Sequence, residues 1–178
     1  MEVLEAIKQR RSVRQFRKEP LPPQALDLLI DALRWAPSAG NLQSRKFYFV
    51  FNTALKAKLA RAALDQDFIV QAPLVVVGCA DHRIASRYGN RGVGLYCLMD
   101  VAASIENLLL TAQAEGLRSC WVGAFDEDDV QKLLEFPPYL RPVAIVPIGF
   151  PAEHPEPPPR VSREEVAVRI PCMLLAPP

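Results

Sequence analysis

The sequence predicts an α+β fold, and three observations carry that prediction. Helical and strand patterns follow one another without a regular strand–helix–strand rhythm. The run Leu74-Val75-Val76-Val77 is continuously apolar, as a strand buried on both faces requires. The segment from Gly92 to Gly116 reads as one long helix, apolar around most of its circumference, which has to be covered on every side.

The elements follow in order. Val3, Leu4 and Ile7 predict a short amphipathic helix ending near Arg11. Leu26, Leu29, Ile30 and Leu33 fall at helical spacing, with Pro22 and Pro23 at the entry and Pro37 as the stop. Phe47 to Phe51 is a strand of aromatic and β-branched residues, and Leu55, Leu59 and Leu64 mark the next helix. After the buried strand and the long helix, Gly116 suits a helix C′ position and Ser119 to Val122 reads as a strand. Asp126 to Asp129 make an acidic first turn for a helix through Leu133 and Leu134. Val143 to Ile148 is a strand whose pairing Pro142 and Pro147 restrict. Pro151, Pro155 and Pro157 to Pro159 then form an extended strap. An alternating Val166, Val168, Ile170 and an apolar tail follow it. The tail is expected to lie on its own subunit or to pair with a partner's strand edge.

Composition narrows the classes. The 178 residues suit one domain, 1–178, with the strap and a C-terminal extension at 151–178. Half of the residues are apolar and the net charge is +1, so no overall field points to nucleic acid or membrane. The N-terminus lacks the pattern of a signal peptide, and Asp100, Glu106 and Asn107 interrupt the longest apolar stretch. A cytoplasmic protein is expected. Cys79, Cys97, Cys120 and Cys172 are widely spaced, as are His82 and His154, so no metal site is expected and the cysteines read as buried thiols.

Four segments could carry chemistry. Arg10-Arg11-Ser12-Val13-Arg14 concentrates guanidinium forks and a hydroxyl, the donors a phosphate monoester needs. The same run also fits a solvated basic turn. Ala36 to Gln43 places small residues, Ser38, Ala39 and Gly40, beside the amides of Asn41 and Gln43, which suit the edge of a heterocycle. An ordinary helix-ending loop has the same composition. Gly116 to Phe125 carries a strand into Gly123, whose backbone is open to a planar group, while Trp121 and Phe125 read as core. Arg160 follows the strap, in a position shared by many surface arginines.

Taken together and in this order, the segments "AIKQRRSVRQF", "APSAGNLQ", "DVAASIENLLLTAQAEGLRSCWVGAF" and "PIGFP" with a later arginine resemble the nitroreductase family. The likeness runs from about Val3 to Val168. It implies a mostly antiparallel sheet flanked by helices and an interlocked homodimer with FMN sites in the interface. It also implies NADH or NADPH as donor and an electron-poor small molecule, such as a nitroaromatic, quinone or flavin, as acceptor. By position, Arg10, Ser12 and Arg160 would hold the FMN phosphate, with Arg11 beside them. Arg14 would sit by the ring, where its charge favours the reduced anion. Pro37, Ser38, Ala39 and Asn41 would come from the second subunit, and the Gly123 backbone would face the ring. Donor and acceptor would use one open face in turn, giving ping-pong kinetics with no catalytic side chain. Ser44-Arg45 departs from the family's usual Pro-Trp, so Arg45 reads either as a contact to an acidic substrate or the nicotinamide phosphate, or as a surface residue. The alternatives are a dehydrogenase or oxidase of the same fold acting on a biosynthetic intermediate, and a non-catalytic flavin-binding protein. A nucleic-acid module is disfavoured, since no basic face with interleaved aromatics extends beyond the first cluster.

Overall fold

The computed structural model describes residues 1–170. Strands β1 (Arg45–Val50), β2 (Leu74–Asp81), β3 (Arg118–Ser119) and β4 (Leu140–Gly149) form one antiparallel sheet in the order β1-β2-β4-β3. The helices are α1 (Val3–Gln9), α2 (Pro23–Arg34), α3 (Thr53–Ala62), α4 (Phe68–Gln71), α5 (Ala85–Arg91), α6 (Cys97–Ala114), α7 (Glu127–Leu133) and α8 (Arg163–Val166). The mixture is the α+β arrangement that the sequence predicts.

The layering follows from the pleat of β2, every residue of which is buried. Successive side chains on a strand face opposite ways. Leu74, Val76 and Ala80 pack with Leu29 and Leu33 of α2 and with Val101, Ile105 and Leu108 of α6. Val75, Val77 and Cys79 pack with Leu59 of α3, Ile69 of α4 and Val130 of α7. Helices therefore cover both faces of the sheet.

Several boundaries have a local cause. Gly116, at φ +76°, ends α6 in a conformation glycine adopts without penalty. The Asp126 side chain accepts from Asp129 N–H at 2.9 Å and starts α7. The two prolines do not keep β4 at an edge. It lies between β2 and β3, and the register slips at Gly78/Cys79, opposite Pro142, which has no N–H to give.

The long helix is covered on one side only. Cys97, Val101, Ile105, Leu108 and Ala112 are buried, whereas Leu95 and Met99 stay exposed on the outer face. The stretch His82–Ala114 is long and apolar enough to cross a membrane by length and composition alone. Its backbone leaves helical geometry at Gly89, however, and α6 builds the protein core.

Two expectations are corrected. Trp121 is not core: it is 38% exposed beside the open backbone at Gly123, while Phe125 packs against the α3–α7 layer. Val166 closes α8, started by a capping box between Ser162 and Glu165, so the alternation with Val168 and Ile170 is not a strand; all three are exposed. The tail from Pro171, with Cys172, lies outside the described residues.

Candidate functional site

The basic motif lies where the chain leaves α1. Arg10 caps the helix with an extended ψ of 129°, and the chain then runs along the edge of the sheet. Ser12 bridges Ser119 in parallel, and buried Val13 donates its N–H to the Ser119 carbonyl at 3.1 Å. Phe16, also buried, bridges Pro151. Alternation then turns Arg14 outward, with its guanidinium over the Phe68 ring at 5.8 Å.

The strap returns to the same place. Arg17 N–H donates to Phe150 O and Ala152 N–H to Gln15 O, both at 2.9 Å. The Glu153 carboxylate accepts from Gln15 N–H at 3.1 Å and from Arg14 N–H. These bonds bring Arg160 back over the motif. Arg10, Arg11, Ser12, Arg14 and Arg160 line a single cleft of about 240 Å³, together with Pro155, Glu156 and Pro158. Four arginines thus face one glutamate, and among the described residues none of the four is in an ion pair. Arg11 also serves the helix before it, since its guanidinium folds back onto the carbonyls of Lys8 and Arg10 at the end of α1. Arg17, by contrast, pairs with Glu19 at 3.2 Å and lies over Phe150, away from this lining.

Cys120 is buried under the motif. Burial pushes its thiol pKa up, partly offset by the positive charge of Arg14 and a hydrogen bond with Ser12. Burial also pushes the Cys79 thiol up to about 12. Such thiols are inert rather than nucleophilic, in keeping with the reading of Cys79, Cys97 and Cys120 as buried.

The loop after α2 is tightly wound. Gly40, Asn41 and Gln43 all have positive φ, at 55°, 56° and 52°. Gly40 is obligatory for a second reason: a Cβ there would collide with the Tyr88 hydroxyl. Asn41 N–H donates to Ser38 O and Gln43 N–H to Ser38 Oγ, both at 3.0 Å. Ala39 N–H donates at 2.9 Å to a carboxylate oxygen of Asp100, a residue of α6 that is 4% exposed. None of Pro37, Ser38, Ala39 and Asn41 lines the cleft at Arg10 within the chain, and neither does Gly123. Gly123 is exposed, and a Cβ there would meet only open space.

Two residues of this region have partners that the sequence did not show. Arg45 is half-buried and tied to backbone carbonyls of its own chain. Its guanidinium donates to Pro37 O at 2.9 Å and Ala36 O at 2.7 Å in the loop after α2, and to Arg34 O at the helix end at 3.3 Å, and so ties β1 to that loop. Burial lowers its pKa, and the Asp100 charge works the other way. Asp100 registered in the sequence only as an interruption of an apolar run. A carboxylate on the buried side of a helix that otherwise packs apolar residues was the signal to follow.

Fold and cleft together define an α+β protein in which four arginines gather where the first helix meets the returning strap. The chain matches the Nitroreductase family model over residues 7–66 and 60–150, and it belongs to that family. Among its relatives, an FMN reductase [NAD(P)H] of Bacillus subtilis is 30% identical over 185 residues, covering 93% of this chain and 72% of that protein. An NADH dehydrogenase of Thermus thermophilus is 29% identical, covering 89% and 91% respectively. Among solved structures, NADPH:FMN oxidoreductase from Vibrio harveyi in complex with NAD+ superposes with a TM-score of 0.87 at 25% identity, covering 94% of this chain and 76% of that one.

Proposed function

We propose that this chain is an NAD(P)H-dependent FMN oxidoreductase that reduces an electron-poor small molecule. The observation that carries the reading is the convergence of Arg10, Ser12, Arg14 and Arg160 on one cleft, with guanidinium groups that form no ion pair among the described residues. Uncommitted forks beside a hydroxyl fit a phosphate monoester in charge and in donor geometry. Names of the relatives support the same cofactor and donor, since they include an FMN reductase and an oxygen-insensitive NADPH nitroreductase.

In this reading Arg10, Ser12 and Arg160 bind the phosphate. Arg11 fastens the end of α1 and keeps its neighbours in place. Arg14 offers a fixed positive charge that favours extra negative charge on the cofactor. Pro37, Ser38, Ala39 and Asn41 reach the site from a second copy of the chain, and the open backbone at Gly123 admits the ring. When bound, FMN supplies the two-electron chemistry. Donor and acceptor occupy the same place in turn, a ping-pong order that asks no side chain to act as acid or base. Exposed Leu95, just before α6, and Met99 on its outer face support the homodimer, and residues 1–178 act as one FMN-binding unit that includes the strap. The cytoplasm, which keeps thiols such as Cys79 and Cys97 reduced, fits this function.

The test is the absorbance of the purified protein. Flavin bands should bleach on anaerobic addition of NADH or NADPH and return when a quinone or nitroarene is added. A colourless protein that takes up no FMN refutes the proposal. Bleaching by dithionite but by neither nicotinamide reduces it to flavin binding without turnover.

A further inference from the structure

We propose that Asp100 is a positioning residue for the flavin loop, holding residues 37–41 in their ring-facing shape through the hydrogen bond from Ala39 N–H. The proposal rests on the reading of that loop as part of an FMN site. The loop is under conformational load: Asn41 and Gln43 hold left-handed backbone that non-glycine residues adopt only at a cost. Something outside the loop has to maintain it. Arg45 holds its entry through Pro37 O and Ala36 O, and the Ser38 hydroxyl ties the exit at Gln43. Ala39, at the centre, is held from α6 by Asp100 alone.

The choice of a carboxylate is informative. Asp100 is buried, its Oδ2 has no hydrogen-bond partner among the described residues, and it forms no ion pair there. Burying a charge in this way is costly, and an asparagine could accept one N–H for less. What the carboxylate adds is a charge-assisted bond, roughly twice as strong as a neutral one. The bond lies beside Gly40, where a Cβ would meet the Tyr88 hydroxyl.

Affinity for two flavins separates this role from the phosphate clamp, because riboflavin has no phosphate. Protein stripped of flavin is titrated with FMN and with riboflavin in four variants: Asp100→Leu, Asp100→Asn, Ala39→Pro and Arg10→Ala. Ala39→Pro removes the donated N–H, sets the proline ring's Cδ in its place and leaves the Asp100 carboxylate itself intact. Proline suits the first position of a helical turn, and Ser38 before it is already extended. Loss of a charge-assisted bond predicts about tenfold weaker binding of both flavins by Asp100→Leu and by Ala39→Pro. Asp100→Asn should recover part of that loss. Arg10→Ala should weaken FMN and leave riboflavin unchanged. Every variant is to be measured below its melting temperature and its mass checked by light scattering. Wild-type affinity for both flavins in Asp100→Leu and Ala39→Pro, with Arg10→Ala still impaired for FMN, overturns the role of Asp100 alone. Weaker binding that accompanies dissociation into monomers also overturns it, since the carboxylate would then act on assembly. A wild-type protein that binds neither flavin overturns the functional reading beneath it.

Discussion

Replacing Arg45 by alanine should destabilise the protein and leave its choice of substrate alone. The guanidinium makes two well-formed bonds to Pro37 O and Ala36 O and a longer one to Arg34 O. Arg34 O is the last carbonyl of α2, and Ala36 O and Pro37 O belong to the loop that follows, so the fork holds helix end and loop against β1. A buried bond from a charged donor is worth about 1.5–3 kcal/mol. Arg45 is only half-buried, and solvent screening brings the set to about 2 kcal/mol. In a chain of this size that corresponds to a melting temperature about 4–8 °C lower. Arg45→Lys should recover only part of it, since an ammonium is a point charge where the carbonyls are spanned by a planar fork. Thermal unfolding measures the loss, and steady-state kinetics with NADH, NADPH and anionic and neutral quinones measures selectivity. An unchanged melting temperature combined with a raised KM for NADPH or anionic acceptors alone would refute the reasoning and return Arg45 to the substrate.

Three further outcomes are expected. Arg10→Ala should weaken FMN retention by about tenfold or more, whereas Arg17→Ala, already paired with Glu19, should change it less than twofold; equal effects would mean a diffuse field instead of a clamp. Gly40→Ala should cost about 1–2 kcal/mol through its left-handed φ and the contact with Tyr88, and Tyr88→Phe should relieve only the steric share, as denaturant melts of the single and double variants would show. The Glu127 carboxylate is held below its ordinary pKa chiefly by hydrogen bonds from Arg141 at 2.7 and 2.8 Å. Its contribution is therefore present above the unfolded carboxylate value near ~4.3 and lost as pH falls through the lower folded value. Glu127→Gln should be less stable than wild type at pH 7 and indistinguishable from it near pH 2, a trend a series of melts at falling pH would test.

Particular residues show why some features could be read in advance. The stripe at Leu29 and Leu33 and the unbroken run Leu74 to Val77 announced their elements because burial imposes a period on side chains. Arg10 and Ser12 stood out as donors in excess of local acceptors, whereas Arg160 alone read as one of many surface arginines. Nothing local, however, said that the strap would bring Arg160 over Arg10; that depends on the bridge from Phe16 to Pro151. Arg45 was ambiguous because its partners are backbone carbonyls of the loop after α2, and a carbonyl leaves no mark in a sequence. Trp121 was misplaced because an aromatic residue beside a strand reads as core whether or not anything covers it. Pro142 and Pro147 restrict pairing, and the effect is seen at Pro142, opposite the slip at Gly78/Cys79, while Pro147 stays in register with Val75.

The fastening of Arg14 and Gln15 by Glu153 joins positions up to 139 apart in the chain. During synthesis the first of these segments leaves the ribosome long before its counterpart exists. Until residues 150–160 emerge, the early arginines have no strap to complete their cleft, however well the first helices and β2 have formed. Cofactor capture should accordingly be a late event, and stalled chains ending before Phe150 should be unable to retain FMN. Flavin fluorescence quenching on such chains would then time the closing of the N-terminal segment, and not the formation of the core.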